Sequence, residues 1–156
     1  MRRLLTGTIP SPAAGQGFSY CFSQNEAVRL VALMANFTAD AVVANRNAAC
    51  TITDKNGVVA WQSGNNTAVT ASQSAVHVFS SQYSAIGTQR GVTASTLLVV
   101  PLPDIVIPEG WFFNYVGTNF DVGDQVSNIT FAAEYFEDTF DRDRMAAAIL
   151  AYENAS

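Results

Sequence analysis

The period-two alternation of apolar and polar side chains in residues 126–137 constrains this fold more than any other feature of the sequence. One side of this segment is apolar and carries Ile129, Phe131, Ala133 and Tyr135. The opposite side includes Asn128, Thr130 and Glu134. Because successive side chains of a β-strand point to opposite faces of a sheet, this pattern predicts a strand with one buried face. A second sheet must cover that face, which predicts a β-sandwich.

The residues before this strand predict a second long strand and two turns. Residues 104–107 are strand-like and run into a turn at residues 108–110, where a proline with fixed φ and a permissive glycine reverse the chain. A strand restarts over residues 111–116, and the glycines and aspartates that follow predict a connection. We therefore predict two long antiparallel strands, joined through turns, within residues 103–138.

Patterns further upstream supply the other strands. The clearest is a hairpin over residues 48–62, where Asn56-Gly57 favours the positive φ of a tight turn. Residues 28–37 are apolar on both sides, so a strand and a helix of about ten residues both fit them; we favour a strand covered on both faces. Residues 67–80 and 95–100 predict further strands, the second ending at prolines that stop sheet pairing.

Seven to nine short strands predict an all-β fold, namely an antiparallel β-sandwich, for which a jelly roll is one connectivity that fits. The sandwich domain is assigned to residues 18–138. Residues 1–17 contain prolines, glycines and small residues, and they predict an extended N-terminal arm that is either disordered or laid along a neighbouring subunit. Residues 139–156 predict a short C-terminal amphipathic helix and tail, with Met145, Ile149 and Tyr152 recurring at helical spacing.

The composition limits the classes of function. With 49% hydrophobic and 13% charged residues, the chain is predicted to fold rather than to remain disordered. Its formal net charge of −5, with Lys55 as the only lysine, argues against a nucleic-acid-binding surface. No segment approaches the roughly 20 consecutive apolar residues of a membrane span, and no export signal is recognisable. The two cysteines, Cys21 and Cys50, are interpreted as free thiols, with a disulfide between neighbouring strands as the alternative.

The sequence carries no motif of enzymatic chemistry. It has no nucleophile elbow, zinc-binding helix, phosphate-binding glycine loop or paired-cysteine motif. His77 is the only histidine, and a histidine packed on a strand is the favoured interpretation. Two carboxylate pairs are interpreted as turn residues rather than as a glycosidase or Ca²⁺ site: Asp121 with Asp124, and Asp104 with Glu109. We predict no catalytic residue, cofactor or metal.

Aromatic residues cluster immediately after the turn at residues 108–110. On a strand, Trp111, Phe113 and Tyr115 point to one face and Phe112 to the other. If one set belongs to the core, the other needs a cover, which a carbohydrate or another subunit would supply. No polar groups are evidently arranged to bind sugar hydroxyls, so subunit packing is favoured. The low charge content agrees with burial in an oligomer.

Three stretches together resemble small β-sandwich virion proteins of tailed bacteriophages, including capsid decoration or cement proteins and neck or tail components. These stretches read NRNAACTITDKNGVVAW, PLPDIVIPEGWFF and GDQVSNITFAAEYFE. The resemblance covers roughly residues 25–138. It implies a non-enzymatic role in assembly, with no catalytic residues, and does not extend to the N-terminal arm or the terminal helix.

The resulting hypothesis is a capsid decoration or cement protein that stabilises the head by bridging capsid subunits. Its expected partners are the major capsid protein or other virion proteins and further copies of itself, with a trimer favoured, and neither nucleic acid nor a membrane. It would lie on the capsid exterior after assembly in the host cytoplasm. The alternatives are a head-to-tail connector or tail component, or a carbohydrate- or receptor-binding β-sandwich module. The predicted interface residues are Arg2, Arg3, Ile9, Trp111, Phe113, Tyr115, Met145, Ile149 and Tyr152.

Overall fold

Two β-sheets packed face to face form this chain. The computed structural model describes residues 2–65, 67–81, 89–90, 96–136, 150–152 and 154, with only the backbone of residues 2, 89 and 90. The strands within these residues are β1 (Arg2–Ile9), β2 (Phe18–Tyr20), β3 (Ala27–Thr38), β4 (Asn47–Thr53), β5 (Val59–Gly64), β6 (Ser74–Ser80), β7 (Gln89–Arg90), β8 (Thr96–Pro101), β9 (Phe112–Thr118) and β10 (Gln125–Phe136). The all-β sandwich predicted from the sequence is confirmed.

The connectivity of the two sheets follows a nested pattern. The larger sheet has the strand order β1-β10-β3-β6-β8-β7, and the smaller sheet has the order β2-β9-β4-β5. Four antiparallel pairs lie one inside the next along the chain: β1 with β10, β2 with β9, β3 with β6, and β4 with β5. Successive pairs alternate between the two sheets. The chain therefore resembles one long hairpin folded over itself, with β7 and β8 added beside β6, β8 running parallel to β6.

The alternation in the sequence gives the strands their buried faces. Along β10, the four apolar residues Ile129, Phe131, Ala133 and Tyr135 are all buried, and Thr130 between them is exposed. In β4, Cys50 and Ile52 are buried while the threonines beside them are only half-buried, as the hairpin pattern predicts. Cys50 and Cys21 are both free thiols, and burial raises the pKa of Cys50 to about 12.

Aromatic rings join the two sheets across the core. Phe79 on β6 packs edge-on against Phe113 on β9, with ring centroids 5.3 Å apart, and against Tyr115 at 5.5 Å. Phe22 meets Phe131 of β10 at 5.0 Å in a T-shaped contact. Such offset and edge contacts add to the free energy gained from burying the rings. Aromatic side chains from both sheets therefore stabilise the packing of the sandwich.

The predicted antiparallel pairing of the two strands within residues 103–138 is wrong. β9 belongs to the smaller sheet and β10 to the larger one, so the connection between them crosses from one layer to the other. Residues 104–107 do not form a strand; Ile107 makes only an isolated bridge with Val28. The local pattern defines each strand and its buried face, but the choice of partner strand depends on residues far away in the chain.

The ends of the chain differ in part from the expectation. Residues 2–9 of the predicted arm are extended, but they form β1 and pair with residues 129–136 of β10 rather than lying apart from the sandwich. Residues 150–152 are helical. Most of the predicted C-terminal helix, including Met145 and Ile149, lies outside the described residues.

The prediction that residues 28–37 form a strand is confirmed by β3, but not the prediction that both faces are covered. Val28, Leu33 and Phe37 are buried in the core, whereas Met34 on the opposite face is 41% exposed. A register shift in the pairing with β10, between Ala132 and Ala133, brings Leu30 to the buried face as well. The outer face of β3 is therefore available to solvent at Met34.

Replacing Gly17 by Ala is expected to destabilise the fold. A Cβ at this position would collide with the backbone carbonyl oxygen of Tyr115, which cannot move without disturbing β9. We expect a loss of about 1–3 kcal/mol in the free energy of unfolding, as for other overpacked sites. The matched control is Gly64→Ala, where the nearest atom lies 3.6 Å from the added Cβ and little change is expected. Equal urea denaturation midpoints for the two variants would show that β9 tolerates a side chain at position 17.

Candidate interaction surfaces

A buried arginine holds together the loops at one end of the sandwich. Arg46 is fully buried, and its Nε donates to Asp124 Oδ2 at 2.7 Å. Its Nη2 donates to Asp40 Oδ1 at 2.6 Å, and Nη1 donates to the carbonyl oxygens of Val42 and Ala44. These residues come from the loop between β3 and β4 and from the residue just before β10. The guanidinium therefore fixes two connections that cross between the sheets.

The carboxylate of Asp124 is held in its charged form by this network. Burial acts to raise its pKa, but the hydrogen bond from Arg46 and those from the backbone N–H groups of Asp121 and Asp40 outweigh this, so the pKa lies below its ordinary value. The hydrogen bond to Asp124 also raises the pKa of Arg46 against the opposing effect of burial. A carboxylate so fully engaged is structural, which agrees with the interpretation of Asp121 and Asp124 as turn residues. Among the described residues, no cluster of potential ligands suitable for a metal ion occurs.

Replacing Arg46 by Met is expected to cost about 3–5 kcal/mol of stability, because it leaves Asp124 buried without its counter-charge. The control is Arg29→Met. Arg29 pairs with Asp104 at 2.6 Å and Glu134 at 3.6 Å, but its side chain is 28% exposed and Asp104 is 61% exposed. A surface network of this kind is worth about 1 kcal/mol or less. Chemical denaturation of both variants measures the difference, and equal losses would refute a special role for Arg46.

The single histidine is a core residue, as the sequence interpretation favoured. His77 is buried on β6, and its Nδ1 lies 2.7 Å from the hydroxyl of Tyr115 on β9, so this hydrogen bond connects the two sheets. Its Nε2 is buried and has no hydrogen-bond partner among the described residues. Burial lowers the pKa of His77 to about 4 and raises that of Tyr115. A neutral, enclosed imidazole that bonds to an equally buried phenol is not arranged for acid–base catalysis.

The burial of His77 predicts a loss of stability on mild acidification. Its pKa is 6.5 when unperturbed and about 4 in the fold, so the unfolded chain takes up the proton first. The free energy of unfolding therefore keeps its full value above pH 6.5 and decreases as the pH falls toward about 4. The loss is about 3 kcal/mol. Unfolding measured between pH 7 and pH 4 should show this slope, and His77→Gln should remove it; an unchanged slope in the variant would exclude His77 as its source.

Three of the seven predicted interface residues that the structure describes are buried inside the chain. Phe113 and Tyr115 are fully buried and Ile9 is buried in the same core, so within the single chain these side chains face the opposite sheet rather than solvent. The inward face of β9 needs these rings to pack against the opposite sheet. Trp111 is partly buried against the core. The sequence predicted that the aromatic face of β9 contacts other subunits, whereas in the structure this face packs against the larger sheet.

The remaining predicted interface residues lie near the two ends of the chain. Arg3 is 3.4 Å from Glu26 in an ion pair, and its guanidinium lies 5.8 Å from the ring centre of Tyr135. The backbone of Arg2 is part of β1, and Tyr152 is 80% exposed. Met145 and Ile149 lie outside the described residues, and their contact with a partner stays a prediction.

The outer face of the smaller sheet is a shallow groove of about 820 Å³ with a polar floor. Ser19 donates to Asn114 Oδ1 at 2.6 Å, and Asn114 Nδ2 donates to the hydroxyls of Thr51 and Thr53 at 3.2 and 3.0 Å. These side chains satisfy one another across three strands. The aromatic platform that a carbohydrate site would need is missing at Tyr115, whose ring faces the core.

The importance of Arg46 and Asp40 is not evident from the sequence. Arg46 stands in a polar stretch, Asn45-Arg46-Asn47, which looks like an ordinary solvated loop. Its partner Asp124 is 78 positions away, and no local pattern reveals that the two meet. The only available signal is the scarcity of cationic residues, since the chain has eight in total.

Comparison with known proteins gives no family assignment. No protein-family model matches the chain, and no curated protein matches it. No helix in the described part of the chain has the length and apolarity needed to cross a bilayer.

Similar folds occur in solved structures of infectious bursal disease virus. A chain of the Gx strain is 12% identical with a TM-score of 0.43, over 88% of this chain and 32% of that one. A chain of the T13 viral particle is 12% identical with a TM-score of 0.40, over 85% and 31%, and one of the Gt strain is 10% identical with a TM-score of 0.39, over 85% and 33%. This chain thus spans about a third of those chains. At such low identity and TM-score the likeness carries no information on function.

Proposed function

We propose that this chain is a non-enzymatic structural protein of a virus particle and acts as a homo-oligomer. The observation that carries the proposal is the nested pairing of β1 with β10, β2 with β9, β3 with β6 and β4 with β5. Nested antiparallel pairs of this kind support a jelly roll, an architecture used by viral capsid and lectin domains. The pairing therefore supports a virion protein and a glycan-binding module alike, and the surfaces must distinguish them.

Two features favour the virion protein over the glycan-binding module. The polar side chains on the outer face of the smaller sheet bond to one another, and the ring of Tyr115 lies in the core. The three sequence stretches that resemble phage virion proteins include the hairpin β4–β5, the turn before β9 and the strand β10. The resemblance thus lies on the framework of the sandwich, which agrees with a role in assembly rather than chemistry.

The finer hypothesis is a decoration or cement protein on the exterior of a tailed-phage capsid. In this role, each copy bridges neighbouring capsid subunits, and many modest contacts stabilise the shell together. The net charge of −5 suits a site away from the packaged nucleic acid. The alternative within the particle is a head-to-tail connector or tail component, which differs in its symmetry and copy number rather than in its fold.

Imaging intact particles of the virus that encodes the chain, at side-chain resolution, tests this proposal. Density for the sandwich repeated over the icosahedral shell is expected, in contact with the major capsid protein. Density confined to one vertex would instead support the connector or tail alternative. Absence from purified particles would overturn the virion role, and binding of the isolated protein to a glycan array would then favour the carbohydrate-binding alternative.

A further inference from the structure

The first strand is attached to the sandwich through one neighbouring strand. β1 pairs with residues 129–136 of β10 in an unbroken register, and with no other strand among those that the structure describes. Leu4 and Leu5 are 62% and 39% exposed, and the two threonines of β1 are exposed as well. Ile9 is the one described side chain of this strand that is buried. β1 is therefore held mainly by the backbone hydrogen bonds of a single strand pair.

The edge of β10 fits a strand that has a glycine at one position. Gly7 lies opposite Phe131, and a Cβ at Gly7 would come within 2.7 Å of Cζ of that ring. The ring therefore occupies the space that a side chain would take at position 7, an arrangement that compensates for a glycine at a sheet edge. Two residues further on, Ile9 points to the same side and enters the core. A strand that matches this edge combines the glycine with an apolar residue two positions later.

The other end of the same edge fits a cation. Arg3 lies opposite Tyr135, and its guanidinium is 5.8 Å from the centre of that ring. Its Nη2 is also 3.4 Å from Oε2 of Glu26, in an ion pair. A ring face and a carboxylate together favour a positively charged side chain at this position. The edge of β10 thus matches an arginine, a glycine and an isoleucine at the spacing found in β1, and a second copy of the chain brings the same strand.

The connection after β1 allows the strand to turn away from its own sandwich. Pro10 and Ser11 are exposed. The chain is next fixed at Pro12, whose carbonyl oxygen accepts a hydrogen bond from Nε2 of Gln125 at 3.3 Å. Ile9 and Ser11 each precede a proline, a position that favours extended backbone over a tight reversal. Rotation within this short hinge therefore redirects β1 without disturbing the contacts that follow it.

We infer that β1 of one copy pairs with β10 of a second copy, in place of that copy's own β1. Exchange keeps the contacts of Gly7 with Phe131 and of Arg3 with Glu26, because the copies are identical, and exchange of an identical element is a low-cost route to an oligomer. Copies held side by side on a particle raise the effective concentration of the strand. Every copy gives one strand and receives one, so a reciprocal pair or a closed ring leaves no edge of β10 unpaired. The inference deepens the proposed function and rests on its homo-oligomer.

A disulfide between β1 and β10 distinguishes exchange from pairing within one chain. Thr8 and Thr130 lie directly opposite each other and are exposed, and opposite Cα atoms of an antiparallel pair are about 4.5–5.5 Å apart, within the range that a disulfide spans. The full chain carrying Thr8→Cys and Thr130→Cys in a Cys21→Ser background is oxidised and run on a non-reducing gel. Covalent dimers or larger species are expected, because each disulfide joins two chains. The matched control, Thr38→Cys with Ser74→Cys on the β3–β6 pair, should stay monomeric.

Sedimentation of the full chain, at the protein concentration used for oxidation, provides the second measurement. Gly7→Val is expected to weaken self-association about tenfold or more, because the added side chain collides with Phe131 and keeps β1 from seating on the neighbouring copy. The control is Thr6→Val on the exposed side of the same strand, which should leave self-association unchanged.

Four results would each overturn the exchange. They are a disulfide that forms only within monomers, no disulfide between β1 and β10 at all, a wild-type chain that sediments as a monomer, and self-association that does not respond to Gly7→Val. A disulfide within monomers leaves the virion role intact, since density over the shell of intact particles does not depend on which copy supplies β1. Absence of the chain from particles, in contrast, removes the proposed function whatever the cross-link shows.

Discussion

The buried pairing of Arg46 with Asp124 is the interaction on which the arrangement of the two sheets depends. β3 and β10 are neighbours at the centre of the larger sheet, and the chain leaves β3 and enters β10 at the same end. Arg46 stands where the chain reaches β4 of the smaller sheet. A buried guanidinium must have all its donors satisfied, so the loops that supply the acceptors can follow few other paths. The ion pair therefore contributes more to the specificity of the loops than to net stability, since a buried charge is costly to desolvate.

The core, in contrast, is held by many apolar contacts rather than by one ion pair. Rings from both sheets meet in offset and edge-on geometries, and Phe37 also stacks on Phe120 at 4.8 Å. A polar link through this core is the hydrogen bond between His77 and Tyr115. It joins β6 to β9 at a single point and leaves one imidazole nitrogen without a partner there. Apolar packing thus supplies the cohesion, and polar contacts define which strands face each other.

The sequence predicts the elements of this fold better than their partners. The alternation in β10 and the hairpin of β4 and β5 arise from local rules, so both are recovered, with the buried faces of β10 and β4. The pairing of β9 with β4, and of β10 with β1 and β3, depends on contacts across most of the chain, and local patterns do not contain it. The same limit applies to Phe113 and Tyr115. Alternation shows that they share a face, but only the position of the second sheet shows that this face points inward.

The larger sheet leaves one part of its outer face exposed and buries another. On β6 and β8, Val78 and Val99 are buried, although they point away from the main core. On β1 and β3, Leu4 and Met34 are 62% and 41% exposed on the same outer face. Contacts within the single chain thus bury the inner apolar face of β3 but leave its outer face exposed at Met34. Because apolar surface gains free energy when it leaves water, the half over β1, β10 and β3 is where association would add most to stability.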